Sequence, residues 1–262
     1  MSETKPARRW NLGIHDAIRL MQPEALEQAL EQADPGSKLP GGRTPLTLCA
    51  EFPDRDGELA HVLLDAGAPL NDADDRGWTP LRACIEAGNV HMAELLLRRG
   101  ARPNIADNDG SDALMACCSR RKFTLVETLL TKNANPLAKN FDGLTALLIC
   151  SQSPAGSGKL RAMELLIGFG ADIDARDDAG RSPTMLSAMG GDADAVHLLM
   201  AAGATPAPMA GRSLGAAGAA RAHGHAALAD SIEAQWARLE RNRIAQSTGH
   251  ASVEAPAPPR RL

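Results

Sequence analysis

The chain has 262 residues, a formal net charge of −4, an isoelectric point near 6.0 and only 3% aromatic residues, with no Tyr. This balance argues against a nucleic-acid binder, which would show a clustered basic surface, and no apolar run approaches the roughly 20 residues of a membrane-spanning helix. Met1 to Asp16 lacks the apolar stretch of a signal peptide, so a soluble, cytoplasmic protein is expected, and the excess of Arg over Lys with abundant Ala points to a GC-rich bacterial genome.

Residues 1–10 are polar and read as a flexible N-terminus. From Asn11 to Asp34 the pattern predicts two short helices, the first with Ile14, Ala17, Ile18 and Met21 at helical spacing, the second opened by Pro23 and carrying Leu26 and Leu30. Pro suits a first helical turn because its missing N–H would be unpaired there. Pro35 to Gly42 is a Gly/Pro loop.

A motif then recurs about every 33 residues. It is anchored on Gly42, Gly77, Gly110, Gly143 and Gly180, separated by 35, 33, 33 and 37 residues. After each anchor come Thr44-Pro45-Leu46, Thr79-Pro80-Leu81, Asp112-Ala113-Leu114, Thr145-Ala146-Leu147 and Ser182-Pro183-Thr184. The hydroxyl of a Thr or Ser caps a first helix while Pro occupies its first turn. A second helix carries the leucines, as in Leu95-Leu96-Leu97, and each unit closes on Gly67, Gly100, Asn133, Gly170 or Gly203, residues suited to a left-handed helix end. Anchor and closing residue lie 25, 23, 23, 27 and 23 apart. Two units are therefore enlarged between their helices, around Phe52–Gly57 and around Ser151–Gly158. Such insertions map to loops on one face of a repeat array. Past Gly203-Ala204 the register degrades. Ser213–His223 makes a poor helix, whereas His225–Ala245 makes a strong one with Leu228, Ile232, Trp236 and Leu239 on one side. Residues 246–262 lack apolar periodicity and read as a disordered tail.

The Gly-x-Thr-Pro-Leu opening, the leucines and the Gly-Ala close resemble the ankyrin repeat, clearly over residues 42–204 and in degenerate form on both sides. The resemblance implies an all-α ankyrin-repeat solenoid, helix-turn-helix units joined by short β-hairpin loops. A single domain would span 11–245, with an N-terminal cap over 11–41, repeats over 42–210 and a C-terminal cap over 211–245. The His that follows Thr-Pro-Leu in the family, where it ties neighbouring turns, is replaced by Thr47, Arg82, Met115, Leu148 and Met185. That removes a link between units but leaves the fold intact.

Cys49, Cys84, Cys117 and Cys150 each lie seven residues after an anchor glycine, with Ser187 in the same slot of the last unit. In the resembled fold this is a small buried position of the first helix. Free Cys fills such a site as a small hydrophobe, and equivalent positions in helical layers roughly 8–10 Å apart are too distant to form disulfides. Cys118 falls one position later and is expected to see more solvent. Gly156-Ser157-Gly158-Lys159 lacks the first Gly and the Ser/Thr of a phosphate loop and reads as a flexible insertion. Asp107-Asn108-Asp109-Gly110 reads as a polar hairpin tip, and His223-Gly224-His225 as an inter-helix turn. No catalytic residues, metal site or cofactor are expected.

The resemblance places the residues flanking each anchor glycine at hairpin tips facing a concave groove, with the ends of the first helices behind them. The candidate partner-binding residues are Arg76, Trp78, Asn108, Asp109, Arg120, Phe141, Leu144 and Arg181. Aromatics beside Arg have the composition of binding hot spots. The function implied is a non-catalytic protein–protein interaction module, monomeric when free, acting as scaffold, adaptor or inhibitor, the last including immunity-type binding of a toxin or effector. The alternatives are a secreted bacterial effector acting on host proteins, or an enzyme-associated module with chemistry at Cys118 or loop 151–158.

Overall fold

The computed structural model describes residues 13–52, 57–206 and 215–249, and among them every regular element is a helix. Helices α1 (Ile14–Arg19) and α2 (Pro23–Leu30) form the N-terminal cap. Five pairs follow: α3 (Pro45–Ala50) with α4 (Glu58–Asp65), α5 (Pro80–Ala87) with α6 (Val90–Arg98), and α7 (Ala113–Ser119) with α8 (Thr124–Thr131). The last two of these pairs are α9 (Ala146–Gln152) with α10 (Lys159–Gly168), and α11 (Pro183–Met189) with α12 (Ala193–Ala201). Helices α13 (Ala216–Ala222) and α14 (Ala226–Gly249) close the array.

The first helices begin where the capping chemistry places them. The side-chain oxygens of Thr44, Thr79, Asp112, Thr145 and Ser182 accept the amide three residues on, at 3.2, 3.2, 2.9, 3.3 and 3.3 Å. Each bond satisfies an amide that the helix itself leaves unpaired. Asn89 and Asp192 cap the second helices α6 and α12 in the same way, both at 3.1 Å. Where Asn133 replaces the closing glycine it still adopts the left-handed conformation, with φ +63°. Met21, by contrast, lies beyond the end of α1 and is 41% exposed, so it does not extend the apolar face of Ile14, Ala17 and Ile18.

Odd-numbered helices pack on odd-numbered ones and even on even, each touching the neighbouring unit in sequence, so the array has an inner and an outer layer. One leucine per outer helix points wholly into the gap between layers: Leu63, Leu96, Leu129, Leu166 and Leu199 are fully buried. The core is a continuous stripe from Ile14 to Ala204, followed by a smaller cluster against α13 and α14. Burial fades along α14, from Ile232 through half-buried Trp236 to exposed Leu239. Helix α14 continues past position 245 to Gly249. The proposed N-terminal segment 1–10, Pro53–Asp56, the junction near 207–214 and the rest of the tail lie outside the described residues.

Cys49, Cys84, Cys117 and Cys150 are fully buried, and Ser187 occupies their slot with its hydroxyl buried. The expectation for Cys118 is overturned, since it too is fully buried. Its equivalents Ala50, Ile85, Ser151 and Ala188 are all at most 2% exposed, because this helical position faces the following unit. The enlarged unit adds a cover, with the Ser153 hydroxyl directed at the Cys118 carbonyl at 3.5 Å. Contact with the Cys150 thiol, together with burial, pushes the Cys118 thiol well above its ordinary range, and burial does the same for Cys84 and Cys117. A thiolate is the reactive form. All five thiols should therefore resist a thiol reagent in the folded protein and label only in denaturant. Rapid labelling of native Cys118 is the contrary result.

The Ser151–Gly158 insertion is tied down rather than free. Lys159 is 1% exposed and donates to the carbonyls of Ser153 at 2.6 Å and Ser151 at 3.4 Å, and to Asp192 Oδ2 at 2.8 Å. A cation here meets the open carbonyl end of α9, while the Asp192 it pairs with caps α12 of the next unit. This ammonium is fully engaged inside the protein and is not presented to a phosphate. Removing one partner of a buried pair leaves the other uncompensated, typically costing 3–5 kcal/mol. Lys159→Ala should lower the unfolding free energy by about 3 kcal/mol in chemical denaturation. A loss below about 1 kcal/mol would show that the loop does not need this tie.

Candidate functional site

The concave face is built from the hairpin tips between units, and an Asx residue organises each tip. Three residues before the anchor glycine stand Asp74, Asp107, Asn140 and Asp177. Asp74 Oδ1 accepts the amides of Arg76 and Trp78, both at 2.9 Å, and Asp107 Oδ1 those of Asp109 at 3.0 Å and Ser111 at 2.9 Å. Asn140 Oδ1 accepts those of Asp142 at 3.1 Å and Leu144 at 2.9 Å, and Asp177 Oδ1 that of Arg181 at 2.8 Å. Successive tips are joined through backbone, Asn108 N donating to Arg76 O and Phe141 N to Asp109 O, both at 3.1 Å. The anchor glycine is required by this approach. Gly77 has φ +78°, and a Cβ there would sit 2.8 Å from the Asn108 amide nitrogen.

On this scaffold the candidate residues separate into two groups. The first surrounds Arg82, which replaces the family His. Trp78 is half-buried beside two guanidiniums, Arg76 at 3.8 Å and Arg82 at 4.8 Å from its ring centroid, a cation–π arrangement. Arg76 is also held by Asp74 Oδ2, with its Nη2 at 2.7 Å. Arg82 pairs with Glu86 Oε2 at 2.8 Å and lies 3.4 Å from Asp107 Oδ2, and Glu86 in turn pairs with Arg120 of the next unit. The link expected to be missing between units is thus supplied by an arginine–carboxylate chain. Elsewhere the His slot is packing material: Met115, Leu148 and Met185 are buried, and Thr47 completes a reciprocal cap with Thr44.

The second group lines open clefts. One of about 380 Å³ has Asp109, Phe141, Asp142, Leu144, Ile149 and Gln152 among its walls. A second of about 360 Å³ shares Asp142, Leu144 and Gln152 with it and extends to Asp178 and Arg181. Together they form a trough along the tips of three consecutive units. Phe141 lines the first cleft, 77% exposed, over the preceding Gly110 turn. Leu144 is half-buried on the trough floor and packs on Leu148, Ala175 and Leu186. Arg181 Nε is bound to Asp177 at 2.7 Å, and Asn108 Nδ2 reaches back to the Asp75 carbonyl at 2.8 Å. Trp78 and Arg76 are thus engaged within their own unit and Arg120 with Glu86 of the preceding one, whereas Asp109, Phe141 and Leu144 line the trough.

The candidate residues left out the Asx organisers, Arg82, Asp142 and Gln152. The organisers carried a legible signal, since an Asp or Asn recurs three residues before each of these four anchors. The Arg82 chain carried only the four-residue spacing of Arg82 and Glu86 on one helix, because Asp107 and Arg120 come from the next unit. Cys118 has no access to solvent, the loop lysine is engaged, and His223 and His225 are occupied separately. His223 Nδ1 lies 3.0 Å from the Ala219 carbonyl, and the His225 ring packs on Gly191.

The family model for ankyrin repeats in three copies matches residues 14–107 and 99–177, and a model for ankyrin repeats in many copies matches residues 155–200. The chain belongs to the ankyrin repeat family. Its fold is also that of a crystal structure of EF0377, an ankyrin repeat protein, with a TM-score of 0.66 and 21% identity, covering 73% of this chain and 98% of that one. No curated protein matches it. Ankyrin repeats are generally non-catalytic modules of protein–protein interaction, and no described helix is long and apolar enough to cross a membrane.

Burial works against the Glu86 charge, but hydrogen bonds from Arg82 and Arg120 outweigh it and hold the carboxyl below its ordinary range. A depressed carboxyl stabilises the fold at pH above its unfolded value, near 4.5, and that contribution is lost as pH falls through the folded value. Glu86→Gln should therefore destabilise the protein at pH 7 and flatten the fall in melting temperature below about pH 4.5. Parallel wild-type and variant slopes through that window would rule out this role.

Proposed function

We propose that this protein is a non-catalytic adaptor or inhibitor that captures a protein partner in the trough across the Gly110, Gly143 and Gly180 units. The observation that carries this reading is Phe141, a large ring left 77% exposed on the wall of a continuous concavity. A chain this poor in aromatics has placed one where folding does not need it. Exposed aromatics rimmed by polar groups are the usual anchors of interfaces, and rigidly linked tips provide a preorganised surface. Asp109, Leu144 and Arg181 flank the anchor. Trp78, with Arg76 and Arg120, supports the rigidity of the face next to it. The protein is proposed to be cytoplasmic, bacterial and monomeric when free. The secreted-effector and enzyme-associated readings gain no support from Cys118 or loop 151–158, whose reactive groups are buried or engaged.

The test separates the two aromatics. A tagged chain captures its partner from the native organism, and Phe141→Ala and Trp78→Ala are then compared by calorimetry and thermal melting. Phe141→Ala should weaken binding by about 2 kcal/mol or more, roughly thirtyfold, with an unchanged melting temperature. Trp78→Ala should lower the melting temperature, since it removes the ring beside two arginines. Unaltered affinity in Phe141→Ala places the interface elsewhere.

A further inference from the structure

We infer that the trough takes an extended, basic segment of a partner protein, with Lys or Arg side chains set on either side of an apolar residue that packs on Phe141. This rests on the trough being the partner site and adds the chemistry of what fills it. Charge pairing on the concave face carries the argument. Its guanidiniums are already matched: Arg76 with Asp74, Arg82 with Glu86, Arg120 with Glu86, and Arg181 with Asp177. The carboxylates of Asp109, Asp142 and Asp178 have no ion-pair partner among the described residues, and all three line the trough. The surface offered to a partner is therefore an exposed ring and an apolar floor, flanked by uncompensated negative charge from three successive tips.

The spacing fixes the shape of the occupant. Helical layers stack roughly 8–10 Å apart, so equivalent tips recur at about that distance. An extended chain of polyproline II type rises about 3.1 Å per residue with three residues per turn, so it turns the same side to successive tips at about every third residue. Cations at such intervals would each face a carboxylate, with the apolar residue between the first two placed over Phe141 and Leu144. An acidic segment would bring like charges together at each tip, which opposes binding.

A library of random twelve-residue peptides displayed on phage, panned on the immobilised full chain, supplies the probe. The enriched peptides, resynthesised with a fluorescent label, are titrated against wild type, Phe141→Ala, and the combined Asp109→Asn, Asp142→Asn and Asp178→Asn variant. Melting curves confirm that each variant is folded. The expected result is enrichment of peptides with several Lys or Arg around a large apolar residue. Their affinity should fall at least about tenfold in the triple Asn variant, and also on raising salt from about 50 to about 500 mM, where charges are screened. Enrichment of neutral or acidic peptides, no enrichment at all, or equal affinity for wild type and the triple Asn variant overturns the inference. Neutral peptides that still require Phe141 would leave the trough as the partner site and remove only its charge preference. Peptides indifferent to Phe141 and to all three carboxylates would remove both.

Discussion

No unit of this array is thick enough to bury its own apolar face, and that constraint shapes everything else. A helix pair of this length exposes leucines on both sides, so it is stable only between two similar pairs. Close approach between layers then demands small side chains where inner helices meet, which is why Cys, Ser or Ala recur there. It also demands that helix ends be satisfied within short connections. Thr44, Thr79, Asp112, Thr145 and Ser182 do so for the inner layer. The hairpin tips are what remains once these demands are met, and the Asx carboxylates or amide hold them in one conformation.

Because each unit touches only its neighbours, rigidity along the array depends on links that cross from one unit to the next. The family His is absent throughout, and the structure shows two substitutes. Arg82 joins its own helix to the next tip through Asp107 and to the next inner helix through Glu86 and Arg120. Lys159 joins the carbonyl end of α9 to the cap of α12 through Asp192. These links bracket the trough, one on either side of Phe141. The open surface thus sits where polar links cross from unit to unit, which limits the ordering that a partner must impose on binding.

The same arrangement explains why aromatic and charged residues of similar appearance have different roles. Trp78 and Phe141 both flank anchor glycines, yet Trp78 has two cations over its ring and Phe141 has none within range among the described residues. The arginines proposed as partner contacts are mostly satisfied by carboxylates in their own or adjacent tips. What is left unsatisfied on this face is apolar and negative.

The sequence by itself determined the architecture: the period, the capping residues, the leucine register and the buried cysteine column all follow from interactions within one unit or from strict repetition. It also placed Asp109, Phe141 and Leu144 on the right face, because position within the repeat fixes orientation. The tertiary structure alone decided which of the flanking residues stay available. Cys118 is covered by a loop from the next unit, Lys159 is consumed by a carboxylate 33 residues away, and Arg82 and Glu86 meet Arg120 across two units. Such pairings depend on the distance between side chains of successive layers, a quantity that a repeat pattern leaves open because it specifies each layer but not the rotamers that meet between them.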